Sequence, residues 1–277
     1  VQRTRPRAMV VAACTLAVSL GLAACGSTTD AAEPTEERVV PDVDLVSEGR
    51  LLTCTHLPYQ PFQYEEGGEV VGFDVDIVDL IADELGVEQA IVDMPFEGIQ
   101  NGEALDAGEC DIAAAAMTIT GPRGEVIDFA YPYFNAAQAL LVERASPVRG
   151  LDGMHGMRLA IQTGTTGAEF VEQYNAEHGD PIELVYYSNL SALTQSLRSD
   201  ETDGVVSDNG PLHEFAEVYR DTEVVAEFDT GEQYGLAVRK GNTELLDVVN
   251  RVLEEARTDG RYEEIHLKWF GVTPNQW

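Results

Sequence analysis

Two charged residues stand where apolar runs end. Arg123 comes six residues after the apolar stretch 111–117, in a chain of 277 residues with only 17 Lys and Arg. A guanidinium fork can grip both oxygens of one carboxylate, which a lysine cannot; an arginine on a surface turn is the alternative. Asp208 closes the apolar run Gly204-Val205-Val206-Ser207, where a carboxylate can pair a cation or cap the helix expected at 211–219. Thr165 and Thr166 precede a helix expected at 168–178. Backbone N–H groups at a helix N-terminus favour an anion, while threonine also caps helices, and both roles fit. Tyr59 and Phe96 offer aromatic faces that pack aliphatic stems and attract cations, although Phe96 also suits a core.

Other chemistry is missing from the sequence. No GxSxG elbow, P-loop, GxGxxG or HExxH occurs, and no nucleophile stands beside an obvious base. His56, His155, His178, His213 and His266 lack metal-ligand spacing. Binding is therefore expected rather than turnover, with no metal and no cofactor. Asp and Glu number 49, for a formal net charge of -32. Such a surface repels phosphate backbones, so nucleic acid is a poor partner. It is either a solvated, self-repelling surface or an attractor of cationic solutes, and charge alone does not choose.

These residues must be positioned by alternating strands and helices. Strands are expected at 50–55, 88–93, 111–117, 139–143, 158–162, 182–187, 204–207, 224–228 and 234–239, with a short strand or turn at 70–73. Helices are expected at 74–85, 97–107, 168–178, 189–199, 211–219 and 243–257. The signals are periodic: Ile77, Ile81 and Leu85 share one helical face and Gly86 ends it, while Leu245, Val249, Val252 and Ala256 make the longest amphipathic stripe. Alternation of this kind predicts an α/β fold with open, mostly parallel sheets. Two cycles are visible, 50–133 and 138–232, and predict two lobes. Ligands in open α/β sheets sit beyond the carboxyl ends of the strands, so two facing lobes would form a cleft walled by strand-to-helix loops.

The first residues read as an address. Arg3, Arg5 and Arg7 precede an apolar run from Met9 to Leu22, with no acid before Asp30. The run has the length of a signal-peptide core and is short for a bilayer span. It ends in Leu22-Ala23-Ala24-Cys25-Gly26, which resembles the lipobox of bacterial lipoproteins. Residues 1–24 are expected to be removed and Cys25 to carry lipid, placing the protein outside the cytoplasm and anchoring it to the cell membrane. Residues 25–48, small, polar and acidic, are expected to be a disordered tether. With Cys14 lost in the signal and Cys25 lipidated, Cys54 and Cys110 remain. Each sits on or beside an apolar strand, so a disulfide forms if those strands are neighbours; otherwise both are buried thiols.

Six short stretches, in order, carry a specific resemblance: Tyr59-Gln60-Pro61-Phe62, Gly72-Phe73-Asp74-Val75-Asp76, Met117-Thr118-Ile119-Thr120-Gly121-Pro122-Arg123, Asp128-Phe129-Ala130-Tyr131-Pro132-Tyr133, Gln162-Thr163-Gly164-Thr165-Thr166 and Gln233-Tyr234-Gly235-Leu236-Ala237. Together they resemble the bacterial extracellular solute-binding proteins of family 3, the amino-acid receptors of ABC importers. The resemblance implies a two-lobe, type II periplasmic-binding-protein flytrap. Its first lobe would be 49–134 plus 236–277 and its second 135–235, joined by crossing segments near 133–138 and 232–236. It implies a monomer that delivers its ligand to an ABC permease.

The resemblance also implies roles for single residues. Arg123 would bind the ligand's α-carboxylate, Thr118 would stand beside it, and Ala116 would contribute only its backbone. Thr165 and Thr166 would clamp the same carboxylate from the second lobe. Asp208 would bind the α-ammonium, and Tyr59 and Phe96 would sandwich the side chain. His56, Gln162 and Glu97 are the specificity candidates; a neutral His56 and an amide at Gln162 suit a polar, glutamine-like side chain, the acidity disfavours glutamate and aspartate, and lysine, arginine and cystine stay open. Two other classes share the architecture, a dehydratase of cyclic amino-acid precursors and a sensor without transport.

Overall fold

A computed structural model describes residues 43–274. The expected signal segment, Cys14, the lipidation site Cys25 and the tether up to residue 42 lie outside the described residues. The chain alternates strands and helices through β1 (Arg50–Thr55), β2 (Tyr64–Glu66), β3 (Glu69–Val71), α1 (Phe73–Leu85), β4 (Glu88–Asp93), α2 (Phe96–Gln100), α3 (Glu103–Asp106), β5 (Ile112–Ala113), α4 (Gly121–Val126) and β6 (Ile127–Phe129). It continues through β7 (Phe134–Glu143), β8 (Arg158–Gln162), α5 (Thr166–His178), β9 (Glu183–Tyr187), α6 (Leu190–Arg198), β10 (Gly204–Asp208), α7 (Asn209–Val218), β11 (Thr222–Tyr234), β12 (Ala237–Arg239), α8 (Thr243–Asp259) and α9 (Arg261–Phe270).

The strands make two five-stranded sheets, ordered β4-β1-β5-β12-β6 and β11-β7-β10-β8-β9. In the first, β12 is antiparallel to both neighbours and the other strands share one direction. In the second, β7 plays that part. The reversal has a simple cause. β7 and β12 are the strands by which the chain enters a sheet from the other one, so each starts at the end where the parallel strands finish. The two crossing segments pair with each other, Phe134 with Tyr234 and Ala136 with Glu232. They are rooted in an aromatic cluster in which Phe134 stacks on Tyr234 with ring centroids 5.6 Å apart and Phe62 meets Tyr234 edge-on at 5.3 Å.

Several elements differ from the sequence expectation, among them β7, which starts at Phe134 rather than 139. The helix expected at 97–107 is two short helices, because Gly102 between them has φ 82° and a Cβ there would come 3.1 Å from Ile127. The strand expected at 111–117 leaves its ladder after Ala113. Residues 114–117 stay buried because other groups take their polar atoms: Thr55 Oγ1 donates to the Ala114 carbonyl at 2.6 Å, and the Ala116 N–H donates to Asp74 Oδ2 at 2.7 Å, with Ala116 at φ 47°. The strands expected at 224–228 and 234–239 divide elsewhere: β11 runs through two register shifts to Tyr234, and β12 starts only at Ala237. Finally, β2, α4, β6 and α9 lie outside the sequence expectation, and α9 carries the most packing. It buries Tyr262 and His266 against Phe73.

The last residues of the expected tether are seated on the body. Val43 and Leu45 pack against the first-sheet core, and the Val46 N–H donates to Asp111 Oδ1 at 2.7 Å. Cys54 in β1 and Cys110 just before β5 are joined by a disulfide, with Cα atoms 5.6 Å apart. Among the described residues no helix is long and apolar enough to cross a membrane.

Candidate ligand-binding site

A small cavity lies between the two sheets, at the carboxyl ends of their parallel strands. The first sheet contributes His56 just after β1, Tyr59, Phe96 at the start of α2, Ala116 and Thr118 after β5, and Arg123 from α4. The second contributes Gln162 at the end of β8, Thr165 and Thr166 at the start of α5, and Asp208 at the end of β10. Of the sequence candidates, Glu97 is the one that does not line it: next to Phe96 on a helix, it points to solvent. Gln63 and Ala115 line it as well and were not anticipated.

Arg123 is 5% exposed. Thr120 caps its short helix by accepting from the Arg123 N–H. The guanidinium donates to the Thr118 carbonyl at 2.8 Å and, across the cleft, to the Gly164 carbonyl at 3.0 Å. It also lies over the Phe96 ring, 5.3 Å from the centroid. Burial pulls its pKa down from the usual arginine value, while nearby Glu169, Asp208 and Glu232 push the other way. A surface arginine on a turn would have none of these features.

Asp208 begins α7 but makes no side-chain cap there, so the helix-capping alternative does not describe it. Its carboxylate turns inward and accepts from Tyr59 Oη at 2.7 Å, from Gln138 Nε2 at 2.6 Å and from Tyr234 Oη. Burial first, then the charge of Glu232, raises its pKa to about 6, against the hydrogen bonds that lower it. Glu232 was read from sequence only as one end of a crossing segment. It is 8% exposed, and the same Gln138 Nε2 that serves Asp208 donates to its Oε1 at 3.0 Å. Its Oε2 accepts from Thr118 Oγ1 at 2.7 Å and from Thr166 Oγ1 at 2.8 Å. Each threonine hydroxyl has one proton. With those protons given to Glu232, the Thr118 and Thr166 oxygens face other groups as acceptors. Thr165 is occupied too: it donates to the Gln162 carbonyl at 2.8 Å and accepts from the Ala168 N–H at 3.2 Å, which is helix capping.

The cavity is thus polarised. One guanidinium lines it at Arg123 and one carboxylate at Asp208, while the buried Glu232 carboxylate, outside the lining, holds the hydroxyls of the lining residues Thr118 and Thr166. A zwitterion with its carboxylate toward Arg123 and its ammonium toward Asp208 would have both charges paired, the condition for burying them. Among the described residues no group of three or more His, Cys, Asp or Glu could hold a metal ion.

Known proteins share the sequence pattern and the fold. The sequence profile of the bacterial extracellular solute-binding proteins, family 3, matches residues 51–272. The ABC transporter glutamine-binding protein GlnH of Bacillus subtilis (strain 168) is 30% identical over 261 residues, 91% of this chain and 93% of that one. A solved ancestral arginine-binding protein bound to arginine superimposes with a TM-score of 0.76 at 36% identity, over 80% of this chain and 99% of that one. An ancestral arginine-binding protein bound to glutamine gives 0.76 at 36% identity, over 82% and 100%. The fold is the two-lobe flytrap, and the chain belongs to the bacterial extracellular solute-binding proteins, family 3.

Proposed function

We propose that this protein captures a polar amino acid between its lobes outside the cytoplasm and delivers it to the permease of an ABC importer. The observation that carries the reading is the cavity, with the Arg123 guanidinium on one wall and the Asp208 carboxylate on the other, each wall from a different sheet. Relatives named for glutamine and arginine, and similar structures holding either amino acid, support a polar, nitrogen-bearing ligand. Residues 49–134 with 236–274, and residues 135–235, act as two rigid bodies hinged at the paired crossing segments. Tyr59 to Asp208, Arg123 to Gly164 and Thr118 with Thr166 around Glu232 are bonds between these bodies or onto their crossing strand. They break on opening and re-form around a ligand.

A thermal-shift screen of the twenty amino acids tests the reading. A ligand at 100 times its Kd should stabilise the protein by about 2.7 kcal/mol, and small-angle scattering with that ligand should show a smaller radius of gyration. No stabilisation by any amino acid would refute it.

The anchor is a lipid on Cys25, and the protein works as a monomer. Cys25→Ala should release the protein to the medium or leave it uncut. Equal membrane retention of both forms, with the same N-terminus, would refute the lipid anchor.

A further inference from the structure

Gln138 does not line the cavity, yet it is fully buried beside it. It stands on β7, the strand between β11 and β10. The ladder puts Gln138 directly opposite Asp208, and Glu232 opposite Ala136, two positions along the same strand. Side chains repeat every two residues in a strand, so the amide and both carboxylates share one face of the sheet.

Those neighbours set the orientation of the amide. Gln138 Nε2 lies 2.6 Å from Asp208 Oδ1 and 3.0 Å from Glu232 Oε1. A carbonyl oxygen there would face two acceptors, so the NH₂ takes that place and gives one hydrogen to each carboxylate. Oε1 is the other end, buried and without a hydrogen-bond partner among the described residues. It is aimed at Gly167 in the first turn of α5, where a Cβ would stand 2.4 Å from it. Glycine is a poor helix former, and the φ of Gly167 lies outside the left-handed region. The close amide, not the backbone, is what excludes a side chain there. Its neighbour Thr166 donates to Glu232 Oε2 at 2.8 Å. Gln138, Glu232, Thr166 and Gly167 therefore close a ring. An uncharged double donor suits this place. A lysine between the carboxylates would bring its own cation to where a ligand ammonium must go.

Resting on the reading of the cavity as an amino-acid site, we propose that Gln138 is a positioning residue for the ligand: its NH₂ aims the Asp208 carboxylate without cancelling its charge, and its carbonyl end seats the first turn of α5, which carries Thr166 to the cavity. Gly167 is the notch that admits the amide.

Isothermal titration of glutamine and arginine between about pH 5 and 8 into wild type, Gln138→Met, Gln138→Ala, Gly167→Ala and the double variant Gln138→Ala with Gly167→Ala tests this. Methionine keeps the length of the side chain and loses both donors. Gln138→Met should weaken the tighter of the two amino acids about tenfold at the alkaline end. Tyr59, Tyr234 and Glu232 also face the Asp208 carboxylate and Arg123 lies across the cavity; all four are untouched by the substitution. The Gln138 bond favours the ionised Asp208, so its loss should raise, by about one unit, the pH below which affinity falls. A packing defect alone would lower the melting midpoint and leave that pH in place. Gly167→Ala should fold, since only the end of a flexible side chain has to move. It should weaken binding about tenfold in the wild-type background and less than about threefold once Gln138→Ala has removed the amide. Wild-type affinity or an unmoved pH dependence in Gln138→Met, or an equal cost of Gly167→Ala in both backgrounds, would overturn the positioning role while leaving amino-acid binding intact. A wild type that none of the twenty amino acids stabilises would overturn the reading of the cavity, and the role of Gln138 with it.

Discussion

Arg123→Ala and Asp208→Asn should each nearly abolish binding of every amino-acid ligand, whatever its side chain. Removing one partner of a buried charge pair strands the other, at a cost of about 3–5 kcal/mol, or roughly a hundred- to several-thousand-fold in affinity. Arg123 makes the larger rearrangement, because its loss also leaves the Thr118 and Gly164 carbonyls without their donor and removes a contact across the cleft. Titration of the wild-type ligand into both variants measures the loss. Arg123→Ala within about threefold of wild type, about 0.65 kcal/mol, would remove the carboxylate assignment.

Asp208 adds a pH signature to the same prediction. Its pKa is raised to about 6, so the ionised form costs free energy in the folded, unliganded protein. That group's contribution to stability is present below the ordinary carboxylate range and is lost as pH rises through about 6. A ligand ammonium favours the ionised form and reverses the sign for binding. Affinity should be flat well above pH 6 and fall about tenfold per unit below it, as a proton must leave for each ligand bound. Buffers of different ionisation enthalpy should report that proton. A wild-type affinity that stays constant down to pH 4.5 would show that Asp208 does not meet the ammonium.

The sequence carried the sheets and the polar extremes of the cavity and missed much of what holds them. Amphipathic stripes and apolar runs report burial directly, so α1, α8, β1 and β4 were legible almost to the residue. The stretch 111–117 is just as apolar, yet only Ile112 and Ala113 pair. What bends it is a side chain 42 positions away, Asp74, holding the Ala116 N–H. Periodicity does not record such long-range bonds. Burial also raises the Asp74 pKa to about 7, so a single group both shapes the loop and titrates in the neutral range. The helix α9 had a readable signal, Gly260 as a stop followed by Tyr262, His266 and Phe270 at helical spacing. Arg123 and Asp208 stood out because charge after an apolar strand is conspicuous. Glu232 and Gln138 did not, since one is an acid among 49 Asp and Glu and the other a neutral amide. Their importance comes from partners brought in by folding: Thr118 and Thr166 for Glu232, and Asp208 and Gly167 for Gln138.

The second large effect is expected from the disulfide. Cys54 and Cys110 are 56 residues apart in sequence, and both are fully buried. Closing a loop of that length removes chain entropy from the unfolded state worth about 4 kcal/mol. Replacing both by alanine should lower the melting midpoint by roughly 8–16 °C for a body of this size. The site should survive in the molecules that remain folded. Cys54 lies next to Thr55, whose hydroxyl holds the Ala114 carbonyl, and Asp74 holds Ala116 independently, so the loop that bears Thr118 keeps its anchors. Below the lowered midpoint, ligand affinity should therefore stay within about threefold of wild type, about 0.65 kcal/mol, while stability falls. Reducing the wild-type protein should reproduce the loss, and thiol titration of the unfolded, unreduced body should find neither cysteine reactive. A double-alanine variant that melts within 2 °C of wild type, or two reactive thiols, would show that the bond does not staple the first sheet. A large loss of affinity with the fold intact would show that the staple, rather than Thr55 and Asp74, sets the loop that presents Thr118 and Arg123.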